Sequence, residues 1–572
     1  MKYLITILLL AILLNSGQAV VNTTITAKEF LEELDDGGRS INKNHVIITG
    51  RLELPKDIQS ISVTNSVVEG IFIMKKVTVR LDADFSGTQF KKDAIFEGTI
   101  FANKAGFYKV HFYEDVYFNS TYWKSGEFIK AVFESDAVFT DINKAVSADF
   151  TGSTFHGPVN FNSAIINDAV FKNAQFDKPA KFEGSTLNNA GISNFKNAQF
   201  SQLAKFEGAT LNNADFENAS FNQTADFKSA KGISNFKNAQ FSQLAKFEGA
   251  TLNNADFENA SFNQTADFKS AKGLSNFKNA QFSQLAKFDG ATLNNVDFEN
   301  ASFNQTAGFK SAKGISNFKN VQFSQLAKFE GATLNDANFE NAKFGQQANF
   351  SNAKFSGSAD FSDVDFSGNL SLRGCDFDKR ADFDSFFHGF VDLTDSKKIN
   401  ADFQGASFSE KSKVILHNSS FGDSFNLNYD RINQPLPCDN ENMLTDLLAI
   451  YGTHDEEIQI IIGKCGGKKN SFLEDIINGL TTYKTSIIPM VILIMILNIF
   501  VFPLIYYKER CLKKARSLSE CLLFSISSII YGRDSESEMP STRCKWIQTI
   551  QVVLHYLLLG LIAILFAEIY IK

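Results

Sequence analysis

Proline, tryptophan, histidine and cysteine are all scarce in this chain: 8 Pro, 2 Trp, 7 His and 6 Cys among 572 residues. Six cysteines over that length exclude a disulfide scaffold of the small secreted kind. The histidines, His45, His111, His156, His388, His417, His454 and His555, have no metal-ligand spacing, and there is no GxSxG, Walker loop, HExxH or CxxC. No catalytic, cofactor-binding or metal-binding residue is assigned, no cofactor is expected, and the chain reads as a non-enzyme. A strong excess of one charge is also lacking: a net charge of −7 gives no general electrostatic reason to bind nucleic acid. Phenylalanine is in excess, with 59 residues, about 2.5 times ordinary usage. At 44% hydrophobic residues the chain has ample material for a large core, which excludes disorder over most of its length.

Long apolar runs are confined to the ends. Met1 and Lys2 precede an apolar stretch from Tyr3 to Leu14 and then Asn15 to Ala19, the pattern of a secretory signal over residues 1–19. The chain beyond Ala19 is expected on the far side of a membrane. Residues 486–507 and 546–570 are each long and apolar enough to cross roughly 30 Å of hydrocarbon as transmembrane helices. Tyr506, Tyr507, Trp546 and Tyr570 suit the interfaces, and Lys508, Arg510, Lys513, Lys514 and Arg516 place the loop 508–545 in the cytoplasm.

Between the ends the chain repeats. The stretch from Gly191 through Phe195 to Phe200 returns almost unchanged at Gly232, Gly273 and Gly314, a register of 41 residues. Within one unit the large apolar residues are Phe195, Phe200, Phe206, Leu211, Phe216, Phe221 and Phe227, five or six apart. From Phe200 onward each is preceded two residues earlier by alanine: Ala198, Ala204, Ala209, Ala214, Ala219 and Ala225. A step of five buries a single stripe on neither a helix nor a flat strand. It gathers one interior if the backbone turns a corner every five residues, so that four short sides close a square coil. Stacked coils then satisfy their backbone groups through parallel ladders. Asn197, Gly208 and Asn218 supply residues that tolerate corners.

The run Ala214-Asp215-Phe216-Glu217-Asn218-Ala219-Ser220-Phe221 resembles the pentapeptide-repeat family, whose unit is a small residue, Asp or Asn, a central Leu or Phe, and two polar residues. The pattern extends from Ala83-Asp84-Phe85 to Ala406-Ser407-Phe408. The resemblance implies a mainly β fold, a right-handed quadrilateral parallel β-helix, over residues 83–421. The nine residues from Phe227 to Phe236 depart from it, and corners there are expected to bulge or lengthen. Some members of the family imitate duplex DNA with an acidic rod. Here Lys196, Lys205, Lys228 and Lys231 balance Glu207, Asp215, Glu217 and Asp226, so no nucleic-acid-like surface is expected.

Open strand edges at the ends of such a stack need caps. Thr26 and Glu29 form a capping-box pattern before Phe30, Leu31 and Leu34, with Gly37 as a stop. Residues 20–82 thus read as an N-terminal cap with lead-in strands at His45 to Leu54 and Gly70 to Val79, and 422–485 as a linker and helical neck. Between the expected spans, Ser517 to Gly532 opens with a capping box, Ser517 and Glu520, and carries Leu518, Leu522, Ile526, Ile529 and Ile530 on one helical face. Span, short helix and span resemble a degenerate two-transmembrane potassium-channel module. Ser528, Ile529, Ile530, Tyr531 and Gly532 lie where its selectivity filter would, and the β-branched Ile530 resists the filter conformation. Asn498, Gln551 and His555 are polar within the spans and suit contacts between helices, with Gly560, Ala563 and Ala567 as a close-packing face.

Cys375 reads as a small inward residue, Cys438 and Cys465 can form a disulfide outside, and Cys511, Cys521 and Cys544 are expected to stay reduced in the cytoplasm. Asn119-Ser-Thr121, Asn218-Ala-Ser220 and Asn222-Gln-Thr224 are glycosylation sequons. The expectation is a multi-pass cell-membrane protein whose extracytoplasmic rod is a spacer or interaction scaffold. Its partners are membrane lipids and an unidentified extracytoplasmic protein, with no nucleic acid and with a homo-oligomer open. The alternative is an ion channel or membrane sensor built on the C-terminal module.

Overall fold

The computed structural model describes residues 23–427 apart from 143–144, 188–193 and 423–424, and then 496–508, 521–522, 525, 544, 546–557 and 559. Met1–Asp455 and Glu456–Lys572 are two separate compact units.

The first unit is a parallel β solenoid. One coil crosses four ladders: Gln199–Phe200, Ala204–Lys205, Thr210 and Asp215. The chain then pairs back on itself, Phe200 against Phe221, Lys205 against Asp226, Thr210 against Lys231 and Asp215 against Asn235. These are the four sides expected from the five-residue step. The first ladder holds 19 strands, which at about 4.8 Å per rise makes a stack roughly 86 Å tall. It begins upstream of residue 83, because β1 (Thr23–Thr26) already pairs with Val46–Thr49, and Leu52–Glu53 with Phe72–Ile73. The expected lead-in strands are coils of the solenoid itself.

The core is a set of phenylalanine columns. Phe195 stacks on Phe216 at 4.6 Å, Phe200 on Phe221 at 4.9 Å and Phe206 on Phe227 at 4.8 Å, each pair within 7° of parallel. Within a coil the rings meet edge to face, as Phe206 and Phe216 do at 5.4 Å and 85°. Both arrangements are those the ring quadrupole favours. Phe195, Phe200, Phe206, Leu211, Phe216, Phe221 and Phe227 are all fully buried, as are the alanines two residues before each from Phe200 onward. Cys375 occupies one such alanine position, its Sγ donating to the Phe350 carbonyl at 3.0 Å, and burial pushes its thiol pKa up.

The step from Phe227 to Phe236 bulges as expected, the register of the equivalent later coils shifting between Thr251 and Ala255 against Lys272 and Leu274, but it does not lengthen. That corner is shortened, since successive turns of the repeat hold 21 residues (Phe195 to Phe216) and 20 (Phe216 to Phe236). Buried Ile233 fills the fourth side. Gly232, Gly273 and Gly314 make the tighter corner with φ of 82°, 73° and 78°, and a Cβ on Gly273 would run into the Leu252 carbonyl oxygen. The ordinary corners are instead left-handed asparagines, such as Asn197 and Asn218 at φ 59° and 58°, a conformation asparagine tolerates better than most residues.

Helix α1 (Ala27–Asp36) caps the first coils. Thr26 and Glu29 form the reciprocal capping box, Phe30 and Leu34 are buried, and the helix ends at Gly37. In an early coil Trp123 fills the column above Phe101. It is fully buried with its Nε1–H unpartnered, and Gly126 leaves it room.

In the second unit a π-helix, Leu497–Val501, runs into α2 (Phe502–Lys508). Pro503 lacks the N–H that would bond the Ile499 carbonyl, which accounts for the widened turn. Residues 546–557 are helical. Among the described residues no helix is long and apolar enough to cross a membrane, so the two-helix transmembrane hairpin expected at 486–507 and 546–570 is not seen. Residues 486–495, 558 and 560–570 of those runs lie outside the described residues, as do residues 1–19.

Two substitutions test the corners. Gly273→Ala is expected to destabilise by about 2–3 kcal/mol through clash and strain, whereas Gly208→Ala, with open space around its Cβ, costs only about 1 kcal/mol. Denaturant unfolding of the two variants checks this, and equal losses would remove the special role of the shortened corner. Trp123→Phe deletes a buried unpartnered N–H but leaves a small cavity, and the two effects are expected to offset to a net loss of about 1 kcal/mol or less. A loss above about 3 kcal/mol in denaturant unfolding would exceed what the cavity explains and would show that the N–H is bonded.

Candidate interaction surface and a buried polar cluster

Outside the core, residues repeat in columns along the solenoid. At one corner the side chains of successive coils form an amide ladder. Asn197 donates from Nδ2 to Asn173 Oδ1 at 2.8 Å, Asn218 to Asn197 at 3.0 Å and Asn238 to Asn218 at 3.0 Å, and the ladder continues through Asn259, Asn279, Asn300 and Asn320. The left-handed backbone at these corners points one amide at the next, and each group is donor and acceptor at once.

Beside it runs a column of alternating charge. Lys196 pairs with Glu217 at 2.6 Å, Lys237 with Glu258 at 2.7 Å, Lys278 with Glu299 at 2.8 Å and Lys319 with Glu340 at 2.6 Å. The hydrogen bond to the carboxylate holds each lysine above its ordinary pKa. On the second ladder Lys246 pairs with Asp226 at 3.0 Å and Lys287 with Asp267 at 3.4 Å. A third column alternates acid with amide: Asn235 donates to Asp215 at 2.8 Å and Asn317 to Asp297 at 2.7 Å. Such partly exposed pairs contribute little each to stability. Their effect is to cancel the field along the rod and to fix the order of the coils. The repeat is 41 residues and not 20 or 21 because the two coils of a unit carry opposite partners.

Among the described residues no group of His, Cys, Asp and Glu is arranged to hold a metal ion. His111 and His156 each face a single carboxylate, Glu134 and Asp177, at 2.7 Å. A shallow open groove near the N-terminal end is lined by Ser40, Asn42, Ser60, Ser62, Asp82 and Asp84. Its carboxylates are engaged locally, Asp84 by the Ser86 N–H at 2.9 Å and Asp82 by Asn103 at 2.7 Å.

The second unit contains a buried polar cluster. Tyr506 donates its hydroxyl to Gln551 Oε1 at 2.5 Å, and Gln551 Nε2 donates to Asn498 Oδ1 at 2.8 Å and Ser525 Oγ at 2.7 Å. Ser525 Oγ donates to the Asn498 carbonyl at 2.8 Å, and His555 Nδ1 lies 3.3 Å from Asn498 Nδ2. Asn498 sits in the π-helix, where the widened turn frees carbonyls for side chains. Asn498, Gln551 and His555 therefore meet as expected. Tyr506, expected at an interface, is instead buried in this cluster, two turns along the helix from Asn498, a spacing that could have paired them, and Ser525 joins without a mark in the sequence.

Cys544 is disulfide-bonded, which corrects the expectation of a reduced thiol in a cytoplasmic loop. Cys438, Cys465, Ser528, Ile529, Ile530, Tyr531, Gly532, Gly560, Ala563 and Ala567 lie outside the described residues.

A family model described as pentapeptide repeats, nine copies, matches residues 147–186, 190–231, 231–272, 272–313, 313–354 and 339–386. Over these matched residues the solenoid is built of pentapeptide repeats. Among solved structures, the pentapeptide-repeat protein HetL, involved in heterocyst differentiation regulation in Nostoc sp. strain PCC 7120, is 16% identical. The match covers 48% of this chain and 90% of HetL at a TM-score of 0.12. QnrB1, a plasmid-mediated fluoroquinolone resistance protein, is also 16% identical, over 49% of this chain and 91% of its own, at a TM-score of 0.13. No curated protein matches the chain. The potassium-channel resemblance of the C-terminal segment finds no counterpart in these comparisons.

Gln551→Leu removes the centre of the polar cluster and leaves the Tyr506 hydroxyl and Asn498 amide buried without it. It is expected to destabilise the second unit by about 2–3 kcal/mol. Proteolytic susceptibility of residues 496–559 in the purified full chain reports the effect, and unaltered protection would show that the cluster does not hold these helices together.

Proposed function

We propose that the chain is a non-enzymatic, membrane-anchored surface protein whose pentapeptide-repeat rod stands outside the cell as a spacer and protein-interaction scaffold. The observation that carries this reading is the stack of 19 strands in one ladder with a surface whose charges alternate and cancel. A rod of this kind has reach and flat faces but no convergent chemistry. The signal-like segment 1–19 and the apolar runs at 486–507 and 546–570 support the address. Membrane lipids, an extracytoplasmic protein and further copies of the chain are the partners this role calls for.

A second reading, a channel or membrane sensor, takes support from two observations: polar groups buried beside a π-helix, and the bonded Cys544, which fits an oxidising side for the loop 508–545 better than the cytoplasm.

Labelling of Ser220→Cys and Ser535→Cys by an impermeant thiol reagent on intact cells, against the parent chain, tests the first reading. Labelling at 220 is expected, and protection at 220 would overturn it. Labelling at 535 would reverse the loop and favour the second reading, for which selective currents in reconstituted bilayers are the direct measurement.

A further inference from the structure

One corner of the rod carries a chemical group that neither the core nor the surface columns use. The tripeptide Asn-Gln-Thr occurs at Asn222, Asn263 and Asn304, each 41 residues after the last. In all three copies the asparagine and the following glutamine are exposed and the threonine is half-buried. The asparagine backbone N–H is anchored to the preceding coil, Asn222 to Phe200, Asn263 to Phe241 and Asn304 to Phe282, at 2.8–2.9 Å. The side chains of these asparagines and threonines make no hydrogen bonds among the described residues.

The chain holds a second repeated sequon four residues earlier, Asn-Ala-Ser at Asn218, Asn259 and Asn300. There each amide both donates and accepts within the corner ladder: Asn218 to Asn197 and from Asn238, Asn259 to Asn238 and from Asn279, Asn300 to Asn279 and from Asn320. A sugar on any of those nitrogens would take one of its two N–H positions and set a bulky ring against the bonded amide of the next coil, about 5 Å away. The two sets are alike as sequons and opposite in structure.

We infer that Asn222, Asn263 and Asn304 are N-glycosylation sites forming a single row along one edge of the rod, whereas Asn218, Asn259 and Asn300 stay unmodified. The inference rests on the exported placement proposed above. In the reaction Nδ2 forms a bond to the anomeric carbon of a lipid-pyrophosphate-linked oligosaccharide. The bond from that carbon to the pyrophosphate oxygen breaks, the amide proton is lost to base, and lipid pyrophosphate leaves. Successive sites are two rises apart, roughly 10 Å, close enough for three bulky glycans to cover one edge. The edge would then be shielded, and a protein partner would be left the other faces of the rod.

The full chain, expressed in a cell that N-glycosylates exported proteins and carrying Lys269→Cys, exposed and outside every sequon, as a reporter of orientation, tests this by intact mass before and after peptide-N-glycosidase. The triple variant Asn222→Gln, Asn263→Gln, Asn304→Gln is expected to lose three glycans relative to its parent. The triple variant Asn218→Gln, Asn259→Gln, Asn300→Gln is expected to lose none. If residue 269 labels from outside and the first variant loses no glycan, or the second loses any, the inference falls while export stands. If residue 269 is protected, both fall.

Discussion

A single distance governs this molecule. Parallel strands hydrogen-bond about 4.8 Å apart, and the stacked phenylalanine rings of neighbouring coils lie 4.6–5.0 Å apart through the repeats. Backbone bonding and ring packing are therefore satisfied by the same rise, and neither strains the other. Because each ring finds its stacking partner in the next coil, no coil has a complete core alone, and the ends must be closed by other means. At the N-terminal end α1 does this with Phe30 and Leu34.

The five-residue step is readable because a side chain as large as phenylalanine, set two residues after an alanine, has only one place to go. The four sides and the burial of Phe195 through Phe227 result from that alone. The coils before residue 83 are harder to recognise, since Ile48, Leu52, Val68 and Phe72 vary where the later coils repeat. The shortened corner escapes the pattern for a different reason. Counting nine residues from Phe227 to Phe236 hides Ile233, a smaller apolar residue that takes the fourth inward position while Gly232 tightens the turn.

Surface order is the least readable layer. Lysine and glutamate recur in the sequence as a balanced composition. Only the coil-to-coil pairing shows that Lys237 faces Glu258 and that corner asparagines join into a ladder. Local sequence marks Asn218 as a turn residue, which is true, but its second role arises 20 residues away. In the C-terminal unit polarity within an apolar run correctly flags Asn498, Gln551 and His555. It does not supply Tyr506 and Ser525, which pattern alone would leave at an interface and on an amphipathic face.

The pairing of unlike coils has an effect on how the rod can vary. Deletion of the coil bearing Glu258 would set Lys237 against Lys278, deletion of the coil bearing Lys278 would set Glu258 against Glu299, and either would join two corners of the same length. Removal or addition of a whole unit of 41 residues returns every column to its partner. Reach is therefore adjustable only in steps of two rises, about 10 Å, and a family of rods differing by such increments would share identical sides.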